Sequence, residues 1–398
     1  MTGRPQTGPA RHDPGPGQGA ARVLVVNAGS SSLKLSVIGP GDEVAAQRDI
    51  DRWDGSSGHA ELRGYLSELA GSASPPDAVG HRVVHGADRY TAATLIDEEV
   101  RSGIGELASL APLHQPRALA GLDAAAAALP GVPQVACFDT AFHATLPPAA
   151  YTYPLPAAWR ERYGLRKFGF HGLSHAYASR RAAELLRPAD PAAFRIVTCH
   201  LGSGASLAAV RGGRSVETTM GFTPVDGLVM ATRPGSVDPG LIAWLAAPGR
   251  VAADDLASEL EHGSGLAGLA GGAGDMREVL AAAAAGQPAA RLAFGVHAHR
   301  LTAAVAAMAA AMNGLDALVF TGGIGEHVPE VRAAAAAGLA FLGVAIDDLA
   351  NATAAGPDRR ERAEPADISA AGAPVRTLVL AAREDLEIAR AVRGVLAG

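Results

Sequence analysis

Apolar residues along this chain gather in short runs closed by glycine and small polar residues, and two such arrangements are near copies. RVLVVNAGSSSLKLSVIGPG starts at Arg22 and RIVTCHLGSGASLAAVRGGR at Arg195, and the two align without a gap. In each, an apolar run reaches a polar residue and a Gly-Ser turn, then a second run (residues 33–37 and 206–210) that glycine soon ends. So short a second run cannot build a helix, and each copy predicts a β-hairpin. A third pattern, ALVFTGGIGEHVPEVRAAAAAG from Ala317, predicts an apolar strand, a turn at Gly322-Gly323 and a helix opened by Pro329. The Ala-rich LTAAVAAMAAAM at Leu301 to Met312 is too short to span a bilayer and is followed by Asn313 and Asp316, so it predicts a buried helix.

Length and charge change this picture only in places. A chain of 398 residues exceeds one typical domain, so two domains with a site between them are expected. Residues 1–21, rich in Gly and Pro and without the apolar core of a signal peptide, are expected to form a disordered tail. With 40 acidic and 34 basic residues, a net charge of -6 and no block of like charge, nucleic acid is not an expected partner, and neither is a membrane. Cys137 and Cys199 lie inside apolar runs, which is no disulfide framework and suits a reducing, cytoplasmic setting. Lysine occurs only at Lys34 and Lys167, against 32 arginines, so a retained lysine is a mild hint that a point charge is wanted.

The hairpin turns narrow the chemistry. A phosphate loop of the Gly-Lys-Ser/Thr type needs a following helix, and a dinucleotide fingerprint needs three spaced glycines before one; a single glycine before a strand satisfies neither. Gly29 with Ser30, Ser31 and Ser32 still offers backbone N–H groups and hydroxyls to an anion. Alone this is as well explained as an ordinary hairpin, but two copies favour two phosphate-gripping turns facing one cleft. Followed by a Gly-Gly strand-to-helix turn, they match the order of elements in the superfamily of actin, sugar kinases and heat-shock ATPases.

Within that superfamily the chain resembles the acetate kinases and their propionate and butyrate kinase relatives. NAGSSSLK, GHRVVHG, APLHQP, CFDTAFHATLP, FGFHGLSH, HLGSGAS, TTMGFTPVDGLVMATRPGSVDPG, FTGGIGEH and REDLEIAR occur in that family's order, over nearly the whole chain after the tail. The resemblance implies an α/β fold of two domains with duplicated ribonuclease H-like (actin-like ATPase) cores around an interdomain cleft. The first domain would run from residue 22 to about 146 and regain the last helix from about Leu386 to 398, with 147–385 as the second. It also implies a homodimer, and reversible transfer of the ATP γ-phosphoryl group to acetate by direct in-line displacement. Another short acid such as propionate or butyrate, or a paralogue that binds without turnover, are the alternatives.

The resemblance also implies roles. Arg82 and Arg233 would flank the transferring phosphoryl group and the substrate carboxylate, an assignment to oxyanions rather than to folding. His171 would donate to the phosphoryl oxygens, with His114 in the same site. Asp139 and Glu384 would be the acidic pair associated with Mg²⁺ (or Mn²⁺), Asn27 would contact the phosphoryl and metal region, and Lys34 would support the first turn. Val84, Leu113, Phe170 and Pro224, beside Arg82 and His114, would wall a small pocket for the methyl group. Nucleotide contacts would come from Lys34, Ser30, Ser32, His200, Gly202, Ser203, Gly204, Asp275, Arg277, Gly322, Gly323, Ile324, Gly325, His327 and Arg332. His81, His85, His143 and His175 read as packing histidines and are assigned no chemistry. Departures gather on the nucleotide and metal side, where Ser203, His327 and Arg383 each replace the family's usual Asn. Leu173 and Gln115 replace its Thr and Asn.

Overall fold

The computed structural model describes residues 21–29, 32–53, 55, 57–272, 274–355 and 364–398. Among these, strands β1 (Val23–Ala28), β2 (Ser32–Ile38), β3 (Val44–Asp51), β4 (Ala78–Val83), β5 (Thr94–Leu95) and β6 (Gln134–Phe138) form a sheet ordered β3-β2-β1-β4-β6-β5. A second sheet is built from β7 (Arg195–Leu201), β8 (Ala205–Arg211), β9 (Arg214–Thr218), β10 (Ala317–Thr321), β11 (Ala366–Asp367) and β12 (Arg376–Val379), in the order β11-β12-β10-β7-β8-β9. From the β3 or β9 edge inward both follow one path. Three antiparallel strands come first, two parallel strands are added beside the first of them, and a short antiparallel strand closes the far edge. This is the ribonuclease H-like core, present twice.

The repeated hairpins form as their patterns require. Gly29 N–H donates to the Ser32 carbonyl at 2.8 Å, and Gly202 N–H to the Gly204 carbonyl at 2.9 Å, closing the two turns. Strand β1 is buried on both faces because alternate side chains serve two layers. Leu24 and Val26 pack with Leu62 and Leu66 of helix His59–Ala70, while Val23 and Val25 pack under Ile388 and Val392 of the final helix, Glu384–Leu396. That helix approaches so closely that a Cβ on Gly80 would lie 2.5 Å from Ile388. On the second sheet the helix Gly172–Leu186 covers Ile196, Ala317 and Val319 with Ala178 and Ala182. The two covering helices are joined by Arg180 and Glu387 at 2.9 Å.

Three expectations are adjusted. The helix at Leu301 to Met312 is the end of a longer one, Pro288–Ala311, with Leu301, Val305 and Met308 buried. The helix after β10 starts at Gly322 rather than at Pro329, and Gly322–His327 precedes Pro329–Gly338. Gly322 permits this because its φ is +79° and a Cβ there would sit 2.8 Å from the Leu201 carbonyl oxygen; Glu326 Oε1 then accepts its N–H at 2.8 Å. Of the expected tail, residues 1–20 lie outside the described residues, whereas the Ala21 carbonyl accepts from Arg393 Nε at 3.1 Å.

Candidate active site

Both sheets end their central strands toward one cleft, where α/β folds place ligands. Asn27 lies near the end of β1 and Arg82 on β4, while Asp139 follows β6. Arg82 grips Asp139 as a fork, with Nη2 donating to Oδ2 at 2.6 Å and Nε reaching both carboxylate oxygens at 3.1 Å. Its Nη1 donates to Asn27 Oδ1 at 3.3 Å, and Glu384 Oε2 lies 3.9 Å from its Nε. Asn27 Nδ2 in turn donates to Glu384 Oε2 at 2.9 Å. Burial opposes the charge on Arg82, but Asp139 and Glu384 more than offset it and raise its pKa. Burial likewise pushes the Glu384 carboxyl up, yet Arg82, His200 and the Asn27 bond hold it below its ordinary value. Glu384 also opens the final helix, whose N-terminal dipole favours an anion. Lys34, opposite Asn27 in the β1–β2 register, adds its positive charge to Glu384 and Glu326.

The opposite wall is largely neutral. His171 sits at the N-terminus of helix Gly172–Leu186 in the left-handed region, φ 55°, and its ring lies 4.5 Å from that of His200. Burial first, then the charges of His200, Arg82, His175 and Arg233, hold its pKa well below 6.5. Arg233 differs from Arg82: among the described residues Nη1 reaches only the Pro224 carbonyl, at 3.4 Å, and the Met230 sulfur, at 3.9 Å. Burial lowers its pKa, with Glu261 the opposing charge. A guanidinium remains protonated at neutral pH, so this is a half-buried cation with no carboxylate hydrogen-bonded to it among the described residues. Gly204 lies between His171 and Arg233, since a Cβ there would stand 3.4 Å from His171 Nε2 and 3.6 Å from Arg233 Nη1. His114 is held at about 4 by burial and by the charges of Arg82, Arg233 and Arg117. Val84 and Phe170 join one apolar cluster with Met230, and Leu113 is 40% exposed.

The residues expected around a nucleotide divide. Ser32, Gly202, Ser203 and Gly204 stand at the hairpin turns; the Ser203 side chain is exposed and its carbonyl accepts from Ala231 N–H at 3.1 Å. Gly323 faces open space, as a Cβ there would meet nothing within 4 Å. Gly325 instead packs beneath it against Phe320 and the Cys199 carbonyl, and Ile324 packs against the core. Arg332 corrects the expectation most clearly. It is fully buried and its guanidinium donates to Asn351 and to the carbonyls of Gly325 and Glu326, so it braces the loop from inside. Asp275 and Arg277 bind one another at 2.5 Å on the surface, and Asp275 caps its own helix, which lowers its pKa to about 2. His327 ends the helix Gly322–His327, and Arg383 pairs with Asp385 at 2.9 Å. Ser30 lies outside the described residues.

Residues that sequence reasoning missed are two polar groups inside apolar strands and one on the helix Gly322–His327. Thr198 in RIVTCHL and Ser206 in ASLAAVR are fully buried and bond histidines, and Glu326 links Gly322 to Ala382, two residues before Glu384. A polar residue in a strand that is otherwise buried needs a partner, and that signal was present.

A model of the acetokinase family matches residues 65–390. The chain belongs to that family. An acetate kinase of Synechococcus sp. is 46% identical over 94% of this chain and 99% of its own length. One of Deinococcus deserti is 45% identical over 94% and 98%. The crystal structure of Porphyromonas gingivalis acetate kinase superimposes with a TM-score of 0.86 at 35% identity, covering 95% of this chain and all of that one. A propionate kinase from Francisella tularensis gives 0.82 at 34% identity, covering 93% and 98%.

Magnesium is expected here from the sequence resemblance alone. The oxygen donors Asp139, Glu384 and Asn27 suit a hard cation that takes one or two carboxylates and completes its shell with water and phosphate. Among the described residues no group of three or more His, Cys, Asp and Glu is placed to hold a metal ion by itself. Glu384 is the accessible member, 16% exposed, whereas Asp139 is 1% exposed and occupied by Arg82.

Proposed function

We propose that this member of the acetokinase family transfers the γ-phosphoryl group of ATP reversibly to acetate, by direct in-line displacement. The observation carrying this is Arg233, which among the described residues has no carboxylate hydrogen-bonded to it, facing a cleft whose other wall holds Arg82 between two carboxylates. A carboxylate acceptor is ionised at neutral pH and needs no general base, so the obstacle is bringing one anion to another. Phosphoryl transfer is catalysed mainly by positioning and charge neutralisation. Arg233, His171 and Arg82 take that role here: Arg233 holds an oxyanion in its planar fork, His171 donates to the transferring group, and Arg82, whose fork holds Asp139, adds its charge. Magnesium, when bound through Glu384 and Asn27, directly or through water, with Asp139 behind them, would neutralise phosphate charge. Val84, Phe170, Leu113 and Pro224 would shape a pocket for a methyl group. Such a pocket separates acids differing by one methylene by only about 1 to 3 kcal/mol, so some propionate turnover is expected.

Nucleotide phosphates would lie against the two hairpin turns and Gly323. Two chain-wide features support further parts of the reading. Leu241 and Trp244 on the helix Pro239–Leu245 are exposed, with Val237 exposed just before it, which supports a homodimer. The buried free thiols Cys137 and Cys199 suit the cytoplasm, and among the described residues no helix is long and apolar enough to cross a membrane. The domain reading, residues 22–146 with 386–398 against 147–385, is supported by the first sheet ending at β6 and by the final helix packing on Val23 and Val25. Purified protein assayed with a panel of short acids and phosphoryl donors, trapping acyl phosphate as hydroxamate, tests the reaction. Hydroxamate with acetate and ATP is expected, and none with any acid would refute it.

A further inference from the structure

His171 does not stand alone behind the cleft. Its Nδ1 lies 2.9 Å from Ser206 Oγ, which lies 2.8 Å from His175 Nε2, and His175 Nδ1 lies 2.7 Å from Thr198 Oγ1. Thr198, His175 and Ser206 are fully buried. They come from β7, from the second turn of helix Gly172–Leu186 and from β8, so the chain of contacts exists only once helix and sheet have packed.

Hydrogen counting constrains this chain. Each hydroxyl carries one proton and two lone pairs and each neutral imidazole one N–H, so the three contacts can be filled in three ways; the one in which Ser206 accepts from both rings leaves its buried O–H without an acceptor among the described contacts and is disfavoured, and two remain. In one, His171 donates from Nδ1, Ser206 to His175, and His175 to Thr198, which leaves His171 Nε2 bare. In the other, Thr198 donates to His175 Nδ1, His175 Nε2 to Ser206, and Ser206 to His171 Nδ1, so that His171 carries its proton on Nε2. Burial and neighbouring charge favour neutral rings: His143 and His200 face His175, and His200, Arg82, His175 and Arg233 face His171. At the buried end the first polarity adds only a 3.4 Å contact from Thr198 to the Ala208 carbonyl, close to the outer limit for a hydrogen bond. The choice therefore falls to the cleft end. There His171 Nε2 borders Gly204 and, on its other side, the cationic Arg233, where an anion's oxygens offer lone pairs alone.

We infer that Thr198, His175 and Ser206 form a positioning relay that fixes His171 as the neutral tautomer with its proton on Nε2, the donor aimed at the transferring phosphoryl oxygens. The inference rests on the phosphoryl-transfer reading of the cleft and adds three residues to it. No proton is transferred in turnover; the relay holds one in place.

The test is imidazole ¹⁵N NMR on the full-length chain labelled at histidine, free and with inorganic phosphate, with His171 assigned by difference against His171→Gln. The Nε2–H tautomer is expected in wild type with phosphate bound. An Nδ1–H tautomer or an imidazolium at His171 in that state overturns the proposal. Ser206→Ala and Thr198→Val should each shift the tautomer balance and lower kcat by roughly 10- to 100-fold, with KM for acetate and ATP within about twofold. Thr198→Ser should restore both tautomer and rate, and it covers the case in which Ser206→Ala fails to fold. Unchanged kcat in a folded Thr198→Val also overturns the relay. A wild type that makes no acyl phosphate refutes the proposed reaction instead, and the spectra still report the tautomer.

Discussion

Arg82 and Arg233 sit on opposite walls of one cleft and differ in every respect but charge. Arg82 is locked between Asp139 and Glu384, in a wall that carries excess negative charge and so invites a cation. Arg233 has carbonyl and sulfur neighbours and neutral imidazoles nearby, in a wall that invites an anion. A site joining an acid to a phosphate needs both, and the two ribonuclease H-like halves supply one each. The contrast also corrects the view that neither arginine serves folding. Removing Arg82 leaves a buried carboxylate without its partner, whereas removing Arg233 relieves a half-buried charge.

The largest effect expected is on rate, and the contrast lies in stability. Arg82→Ala and Arg233→Ala should each reduce turnover by at least about 100-fold, within the range known for arginines in phosphoryl transfer. Thermal unfolding should separate them. Arg82→Ala should lose stability, on the order of 3 to 5 kcal/mol, while Arg233→Ala should match or exceed wild type. Equal melting temperatures for the two variants would break the comparison.

Next in size is the metal. Glu384→Gln should lower the rate and raise the magnesium concentration needed for half-maximal activity, measured by titration at saturating substrates. Asp139→Asn should lose stability as well, because its carboxylate is enclosed by Arg82. An unchanged metal requirement in Glu384→Gln would assign that residue to structure alone.

A smaller change is expected at the second hairpin turn. Ser203 reaches less far than an amide, and a bridging water recovers part of a bond worth about 1.5 to 3 kcal/mol. With its side chain exposed, Ser203→Asn should tighten KM for ATP by up to about tenfold and leave KM for acetate unchanged. An unchanged or higher KM for ATP would move the cause to His327 and Arg383.

The smallest effect concerns the neutral histidines in both halves. Burial lowers His81 and His143 in the first half and His297 in the second to about 4. Between there and the unfolded value near 6.5 the unfolded chain binds more protons, so stability falls as pH drops through that window. His297→Leu should remove up to one proton's share of that slope, about 1.4 kcal/mol per pH unit, in denaturant melts at pH 4 to 7. An identical slope would mean that His297 titrates alike folded and unfolded.

Much of this protein was legible from local pattern. Alternation and glycine mark both hairpins, and the long motifs carry the family, because turn chemistry and strand periodicity act between neighbours in the chain. Arg82 and Asp139 stand 57 residues apart and Asn27 and Glu384 357 apart, so their pairing had no local signature. Arg332 and Gly323 belong to the same stretch, yet packing turned one into the core and left the other open to the cleft. His175 read as a packing histidine because the hydroxyls that give it a task lie on strands 23 and 31 residues away. The sequence by itself determined the elements, their duplication and the kind of chemistry. Tertiary structure alone decided which of two like charges is compensated and which ring nitrogen faces the cleft, since burial and hydrogen-bond partners are properties of the packed chain.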